Sequence, residues 1–500
     1  MKGRAAPPVW RASRYNFRFM HDARVALYNA LTGSTWVLEG DDAAALAERL
    51  MQPGGSWRAG DWPPEVFSRL LEGGFLVAPD ADEHGEVQRR FHAARREAPV
   101  VVTVTTTLDC NLACYYCFEE RSEQRLDSSD AAAIVRWVEA RLASSGKRSL
   151  HVDWYGGEPL LNPQLIETLS AALQALCRDR GVAYAASIVS NGTLWPDDPA
   201  GFVARHALTE VQISLDGMQA AHDRRRRWRR GQRPQTGASS FERAVALIDA
   251  LLEVVRIDLR VNLDPHNTAD ALPLMEMARR RGWFDRRFPL VVSPARLARY
   301  SERSSFMRSN EIDAARFDRL TAQMRQACGD SVRFEDPYLA KGRVQPRLSV
   351  CAALGNDSLV FGADRALYRC GLQVSEPARA VGRLTAAAAR RVIPIVPPGR
   401  ATGGAAKPAD DAAWWAGYDP TDEARCGGCS FLPLCWGGCP KHHLERDSQA
   451  LQEQCGYWRR NLARYVLAPW FESASRATGA LPELGEADQF RAAGAMSPRR

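Results

Sequence analysis

From Val100 onward the sequence predicts an α/β protein made of parallel strand–helix units, and three observations predict it. Strand signals at Val100–Thr107, Leu150–Trp154, Ala186–Ser190, Glu210–Leu215, Ile257–Leu263 and Pro289–Val292 recur along the chain. Helical patterns, for example Ser129–Ser144, Pro163–Arg178, Phe241–Val254 and Ala269–Arg281, separate them. That alternation is the pattern of βα units around a parallel sheet. Short motifs of glycine, small polar and acidic residues follow the strands, where parallel β/α folds place reactive groups.

Composition bounds the rest. A chain of 500 residues is long enough for two or three domains, and 45% apolar residues is normal for a packed core. The start, MKGRAAPPVW, has no apolar stretch of the kind a secretory signal needs, and no run of about 18 apolar residues suggests a membrane span. Most of the twelve cysteines fall in metal-type spacings. Together these predict a reducing cytoplasm and metal ligation rather than disulfides. The net charge of +7 is modest, and its cations are nearly all arginine, the lysines being Lys2, Lys147, Lys341, Lys407 and Lys441. An arginine bias of this kind weakens any reading of an arginine cluster as a nucleic-acid site, and no nucleic-acid or membrane partner is expected.

Residues 1–98 read as a small separate domain. Phe17–Met20 and Val25–Tyr28 are short strand signals around a His-Asp turn. Asp41 and Asp42 precede a helical pattern at Ala43–Met51. A second helix is expected at Pro64–Glu72, stopped by Gly73 and Gly74, then a strand at Phe75–Val77 and a polar helix over about Asp82–Glu97.

The first chemistry-bearing motif comes directly after the Val100–Thr107 strand. Cys110, Cys114 and Cys117 are spaced C-x-x-x-C-x-x-C. Three such cysteines can hold a [4Fe–4S] cube while leaving one iron without a protein ligand, so the cluster can do chemistry rather than only carry electrons. Structural zinc normally takes four ligands in C-x-x-C pairs, which this motif lacks. After the second strand come Gly156, Gly157, Glu158 and Pro159. Two glycines allow close backbone approach to a ligand, and exposed carbonyls with a carboxylate can receive an ammonium group. Ser190-Asn191-Gly192-Thr193 follows the third strand, Ser214-Leu215-Asp216-Gly217 the fourth and Asn262-Leu263-Asp264 the fifth. Each of these could be a plain turn; their order makes the set informative. His222-Asp223 and the run Arg224–Arg230, broken only by Trp228, follow. This run reads as a solvated loop inflated by the arginine bias, in preference to a lid gripping acidic peptide, with His222 orienting the loop rather than acting as a base.

Residues 301–333 are helical and charged. The second cysteine block runs from Cys351 and Cys370 to Cys426-x-x-Cys429-x5-Cys435-x3-Cys439, and then to Cys455. Pro397–Ala413, rich in Pro, Gly and Ala, reads as an irregular loop, and residues 471–500 as a frayed polar tail. Cys177 is expected in the core and Cys328 is a spare thiol.

Taken together, these motifs resemble the radical S-adenosylmethionine (SAM) enzymes with a seven-cysteine SPASM extension, and among them the maturases of ribosomally made peptides. The resemblance implies a partial, TIM-like (β/α)6 barrel over residues 99–335, a winged-helix-like α+β leader-peptide domain over 1–98 and an iron–sulfur domain over 336–470. It implies SAM as cofactor, held on the cluster of Cys110, Cys114 and Cys117. Tyr116 would lie near the adenine, Gly156, Gly157, Glu158 and Pro159 would take the amino group, and Ser190, Asn191, Ser214, Asp216 and Asn262 would line the remaining SAM or substrate side.

The resemblance also implies two auxiliary [4Fe–4S] clusters, one on Cys351, Cys370 and Cys439 and one on Cys426, Cys429, Cys435 and Cys455. That makes three clusters in all. The first auxiliary site lacks the extra cysteine often found just before Cys351, so its fourth position is open to a ligand from elsewhere. Where the family usually has glycine five residues before the second of these cysteines, this chain has Arg365. The implied activity is hydrogen abstraction by a 5′-deoxyadenosyl radical from a precursor peptide, forming a crosslink. A ferredoxin or flavodoxin would supply electrons. The alternatives are formylglycine formation of the anaerobic sulfatase-maturating type, whose usual Asp after the second SPASM cysteine is here Gly371, and a non-catalytic electron carrier, which the open-site motif with GGEP disfavours.

Overall fold

The computed structural model describes residues 8–21, 24–40, 42–299, 307, 310–328, 333–334, 339–340, 343–384 and 410–478. The fold is mixed α/β around a largely parallel central sheet. Its first six strands in chain order are β1 (Val100–Thr105), β2 (Ser149–Tyr155), β3 (Ala183–Ser190), β4 (Leu208–Ser214), β5 (Arg256–Leu263) and β6 (Val291–Arg296). Each pairs in parallel with the next, in sequence order, and helices cross between them. Short strands extend both ends of this run. Arg333–Phe334 lies beside β6, and Ser358–Phe361 runs parallel to β1 and leads into an antiparallel pair.

Alternation along the strands explains the layering. Val152 and Trp154 of β2 and Ile188 of β3 are fully buried in the main apolar cluster with the helices. The intervening residues Thr103, Asp153, Ser187, Gln212 and Asp258 hydrogen-bond to one another across the other face. That face is a polar lumen, so these parallel strands alternate rather than reading as continuous apolar runs.

The six strand signals all correspond to strands. β1 ends at Thr105 rather than Thr107, because Thr106 and Thr107 turn into the cysteine loop. β6 lies several residues later than expected, since Pro294 sits inside it opposite Val261, and proline argues against a strand when only the sequence is read.

Before β1, Asn16–His21, Arg24–Asn29 and Thr35–Leu38 form an antiparallel sheet. Trp10–Ala12, Ser56–Trp57 and Leu76–Val77 form a second. Thr35–Leu38, Trp10–Ala12 and Ser56–Trp57 go beyond the expected strand–strand–helix–helix–strand order; Leu76–Val77 and the helices Ala43–Leu50, Pro64–Glu72 and Glu83–Glu97 match it. This region packs on the cysteine block. Phe17 and Phe431 rings lie 4.8 Å apart, and the buried guanidinium of Arg95 donates to the carbonyls of Leu354, Tyr418 and Trp415.

The helix Ser448–Thr478 runs through the position expected for the start of the tail. Residues 479–500, and the greater part of the expected Pro397–Ala413 loop, lie outside the described residues. Among the described residues no helix is long and apolar enough to cross a membrane.

Candidate functional site

The loop carrying Cys110, Cys114 and Cys117 leaves β1 at the C-terminal edge of the sheet. Three neighbouring loops hold it. The GGEP loop lies against it backbone to backbone: Gly157 N–H donates to Thr107 O and Glu158 N–H to Asp109 O. A Cβ on Gly156, whose φ is +137°, would meet Thr107 O at 2.3 Å, and one on Gly157 would meet Asp109 O at 2.4 Å. The two glycines therefore serve this packing directly.

Glu158 is fully buried. Its carboxylate accepts from Asn191 N–H at 2.8 Å, Ser190 Oγ at 3.0 Å and Leu160 N–H at 3.2 Å. Burial pushes its pKa up to about 7 against those bonds. It joins the loops after β2 and β3. Asn191 carries the link onward: its amide donates to Asn111 Oδ1, and Asn111 donates to Thr193 Oγ1, each at 2.8 Å.

The third support is the arginine run, and the structure corrects the reading of it as a solvated loop. Leu112 and Trp228 form an antiparallel bridge. Ala113 N–H donates to Arg227 O and Arg229 N–H to Asn111 O. Arg225 and Arg226 are buried. Arg225 donates to Asp264 at 2.7 Å and to the Tyr115 hydroxyl at 3.0 Å. Arg226 donates to the Tyr116 hydroxyl at 2.6 Å, and that hydroxyl in turn donates to Asp216. Asn262 donates to Asp216 at 3.1 Å. His222 is fully buried; its Nδ1 accepts from Asp216 N–H, and burial lowers its pKa to about 4. It is neutral and orients the loop. Two cations and two carboxylates thus clamp the adjacent tyrosines of the cysteine motif.

Tyr115 was not singled out in the sequence, Asp264 was read only as part of a strand-end motif, and Arg225 and Arg226 only as part of the arginine run. The available signal was the i, i+3 spacing of His222 and Arg225 on one helix face, masked by the arginine-rich surroundings. Ser214, at the end of β4, is only half-buried.

The thiols fit an iron–sulfur group by their own chemistry. Burial raises Cys110 and Cys117 to about 12 each, and the negative charge of neighbouring thiols, Cys114 in both cases, adds to it. Arg226 partly offsets the rise at Cys114, and its own Nε is buried without a hydrogen-bond partner among the described residues. Three crowded, dehydrated thiols beside a buried guanidinium are a set that metal binding would relieve, since it takes the thiolates and releases their protons.

Two further thiol sets lie in the C-terminal block. Cys370 is raised to about 12 by burial and by Cys439 and Cys351. Cys426 is raised to about 12 by burial and by Cys429 and Cys455, and Cys435 feels all three of those thiols. Cys177 and Cys328 are buried in the apolar core of the central sheet, away from both sets. Among the described residues no three His, Cys, Asp or Glu side chains converge as on a single metal ion. A cavity of about 620 Å³ lies between the end of β6 and the helix Ser448–Thr478; Cys351, Cys435 and Cys439 line it, and the first three cysteines do not.

Residues 104–284 match the family described as the Radical SAM superfamily. That region is a radical SAM domain, and the chain is similar to a maturase over most of its length. It is 27% identical to a serine-type anaerobic sulfatase-maturating enzyme of Klebsiella aerogenes, over 72% of this chain and 83% of that one. Its fold resembles native anSMEcpe with bound AdoMet, with a TM-score of 0.54 and 15% identity, covering 76% of this chain and 99% of that one. The same protein with bound AdoMet and the Cp18Cys peptide gives a TM-score of 0.53 and 17% identity, with the same coverage. Family membership implies SAM and a [4Fe–4S] cluster.

Proposed function

We propose that this protein is a peptide maturase that takes a hydrogen atom from a ribosomally made precursor and installs a crosslink. Residues 1–98 are assigned to leader recognition, 99–335 to the radical SAM core and 336–470 to an extension with two auxiliary clusters. One observation carries the reading. The edge strand Thr35–Leu38, free on its outer side among the described residues, belongs to a sheet that packs on the cysteine block. An open strand edge is a surface for adding a peptide strand, and here its sheet shares an apolar cluster with Cys426, Cys429 and Cys435. The relation to protein-modifying maturases, one of them solved with a bound peptide, points the same way.

Cys110, Cys114 and Cys117 would hold the SAM-binding cluster, which with SAM supplies a 5′-deoxyadenosyl radical when bound. Tyr116, Asp216 and Asn262, already joined by hydrogen bonds, would form one wall of the SAM site. Gly156, Gly157, Glu158, Pro159, Ser190, Asn191 and Ser214 would form the other. The clamp of Arg225 and Arg226 keeps the cysteine loop in one geometry. Cys351, Cys370 and Cys439 would hold one auxiliary cluster and Cys426, Cys429, Cys435 and Cys455 the other. A ferredoxin or flavodoxin would deliver electrons, in a reducing cytoplasm.

Formylglycine formation is the second reading, favoured by the similarity to the Klebsiella aerogenes enzyme. It is opposed by Gly371, which offers no carboxylate where that branch usually has one. Mass spectrometry after anaerobic turnover separates the two. The expected product is a precursor peptide short of two hydrogen atoms with no aldehyde. A hydrazide-reactive aldehyde on a sulfatase-derived peptide, with no change in the precursor, replaces the first reading with the second.

A further inference from the structure

Two tyrosine hydroxyls in the apolar cluster around the later cysteines are buried with nothing to bond to among the described residues. Tyr15 and Tyr418 are 0% and 5% exposed. Neither Oη has a hydrogen-bond partner among the described residues. A phenol that loses water without gaining an acceptor is destabilising, so two such groups in one core indicate that something accepts from them.

Both lie against the same thiol set. A Cβ placed on Gly437 would stand 2.9 Å from Tyr418 Oη and 3.6 Å from Cys426 Sγ, so hydroxyl and sulfur border one gap. Trp414, stacked on the Tyr418 ring at 4.8 Å, and His443, at 5.4 Å, hold that ring in place. Tyr15 comes from the N-terminal region. Its neighbour Arg14 is locked to the loop between Cys426 and Cys429: the guanidinium donates to Gly427 O, and Ser430 Oγ donates to Arg14 O, each at 2.9 Å. The charge of Cys429 is felt at Tyr15, and the charges of Cys426 and Cys435 at Tyr418.

We infer that Tyr15 and Tyr418 donate their phenolic hydrogens to the sulfur shell of the cluster held by Cys426, Cys429, Cys435 and Cys455. They are positioning and tuning residues, acting through the cluster and not on substrate. This rests on the auxiliary-cluster assignment proposed above. A hydrogen bond to cluster sulfur stabilises the more negative, reduced state and so raises the reduction potential. One of the two donors belongs to the N-terminal region, so displacement of that region would lower the potential of a cluster in the other half of the chain.

The test compares wild-type holoenzyme with Tyr15→Phe, Tyr418→Phe and the double variant. Each keeps the ring and removes only the hydroxyl. Iron content and the number of reduced-cluster signals are read first; absence of the four-thiol cluster in the wild type would defeat the auxiliary-cluster assignment itself. With the clusters present, EPR-monitored redox titration is expected to show one auxiliary cluster shifting to more negative potential in each single variant and further in the double, the SAM-binding cluster being unmoved. Should a variant lose iron, deuterium ENDOR on the exchanged wild type gives an independent reading, with exchangeable deuterons coupled to that cluster. Unshifted potentials with full iron content, or no coupled exchangeable deuteron in the wild type, overturn the inference.

Discussion

Around Cys110, Cys114 and Cys117 the neighbours are hydrogen bonds and ion pairs from the chain itself; around the later cysteines they are aromatic rings. The first loop is tied by Asn111, Asn191 and Thr193, by the GGEP backbone and by the arginine clamp. In the later block, Cys426, Cys429 and Cys435 pack within one apolar cluster with Tyr15, Phe17, Phe91, Trp415, Tyr418, Phe431, Trp436 and Trp458. Hydrogen bonds persist without an occupant, so the first loop keeps its geometry when empty. A core built around thiols loses its centre when those thiols bind nothing. One site is organised by its scaffold, and the other helps to organise the scaffold.

The largest expected effect follows. Cys429→Ala with Cys435→Ala would remove the proposed auxiliary cluster, whose binding free energy, by analogy with structural zinc, is on the order of 10 kcal/mol. That is comparable with the whole stability of a domain. Limited proteolysis should then cut the C-terminal block and, through Phe17 and Arg14, loosen the N-terminal sheet. The triple variant of Cys110, Cys114 and Cys117 to Ala should instead lose 5′-deoxyadenosine formation while keeping its auxiliary iron and its protease resistance. A triple variant as fragile as the double one would erase the contrast.

The middle-sized effect tests the scaffolded site by pH. Glu158 has its pKa raised from 4.5 to about 7, chiefly by burial. The folded state therefore holds this proton more tightly than the unfolded one. The stability this group contributes is fully present below about pH 4.5 and is lost as pH rises through about 7. The shift corresponds to an effect of order 3 kcal/mol. Glu158→Gln should cost about 1–3 kcal/mol at pH 5, because one donor among Asn191 N–H, Ser190 Oγ and Leu160 N–H loses its acceptor. It should also flatten the decline toward pH 8, so the gap between variant and wild type narrows as pH rises. Anaerobic thermal melts at both pH values check this, and a gap that widens with pH contradicts the assignment of a protonated, buried Glu158.

The two regions also differed in how far they could be read from sequence. The six long strands of the central sheet were legible because each alternates apolar residues with polar ones and is bounded by turn residues; β6, with Pro294 inside it, was displaced, and the short strands such as Ser358–Phe361 were not expected. The cysteine spacing was legible because ligand geometry forces it. The arginine clamp was not, since Arg225 and Arg226 look like their exposed neighbours until the fold buries them against Asp216 and Asp264. Trp10–Ala12 was missed for a related reason: its partners are Ser56–Trp57 and Leu76–Val77, far away in the chain, and a strand of three residues has no period to detect. The burial of Tyr15 beside Cys429 depends on a contact between opposite halves of the chain and leaves no local trace.

The smallest expected effect concerns a link between the regions, at Arg365. Its φ is +62°, in the left-handed region, which explains why glycine is the usual residue five positions before the second SPASM cysteine. A non-glycine residue there costs about 1–2 kcal/mol. Arg365 offsets part of that by reaching the N-terminus of the helix Ser128–Ser145, where it donates to Asp130 and Asp127, each at 3.0 Å. The side chain is 43% exposed, so solvent holds these pairs to about 0.2–1 kcal/mol each. Arg365→Gly relieves the strain, loses the pairs and adds freedom to the unfolded chain, leaving a net change within about 0.5 kcal/mol. Arg365→Ala loses the pairs and keeps the strain, and should be destabilised by about 1 kcal/mol. Thermal melts rank the three. An alanine variant as stable as the wild type would show that the ion pairs contribute nothing to joining the cysteine block to the central sheet.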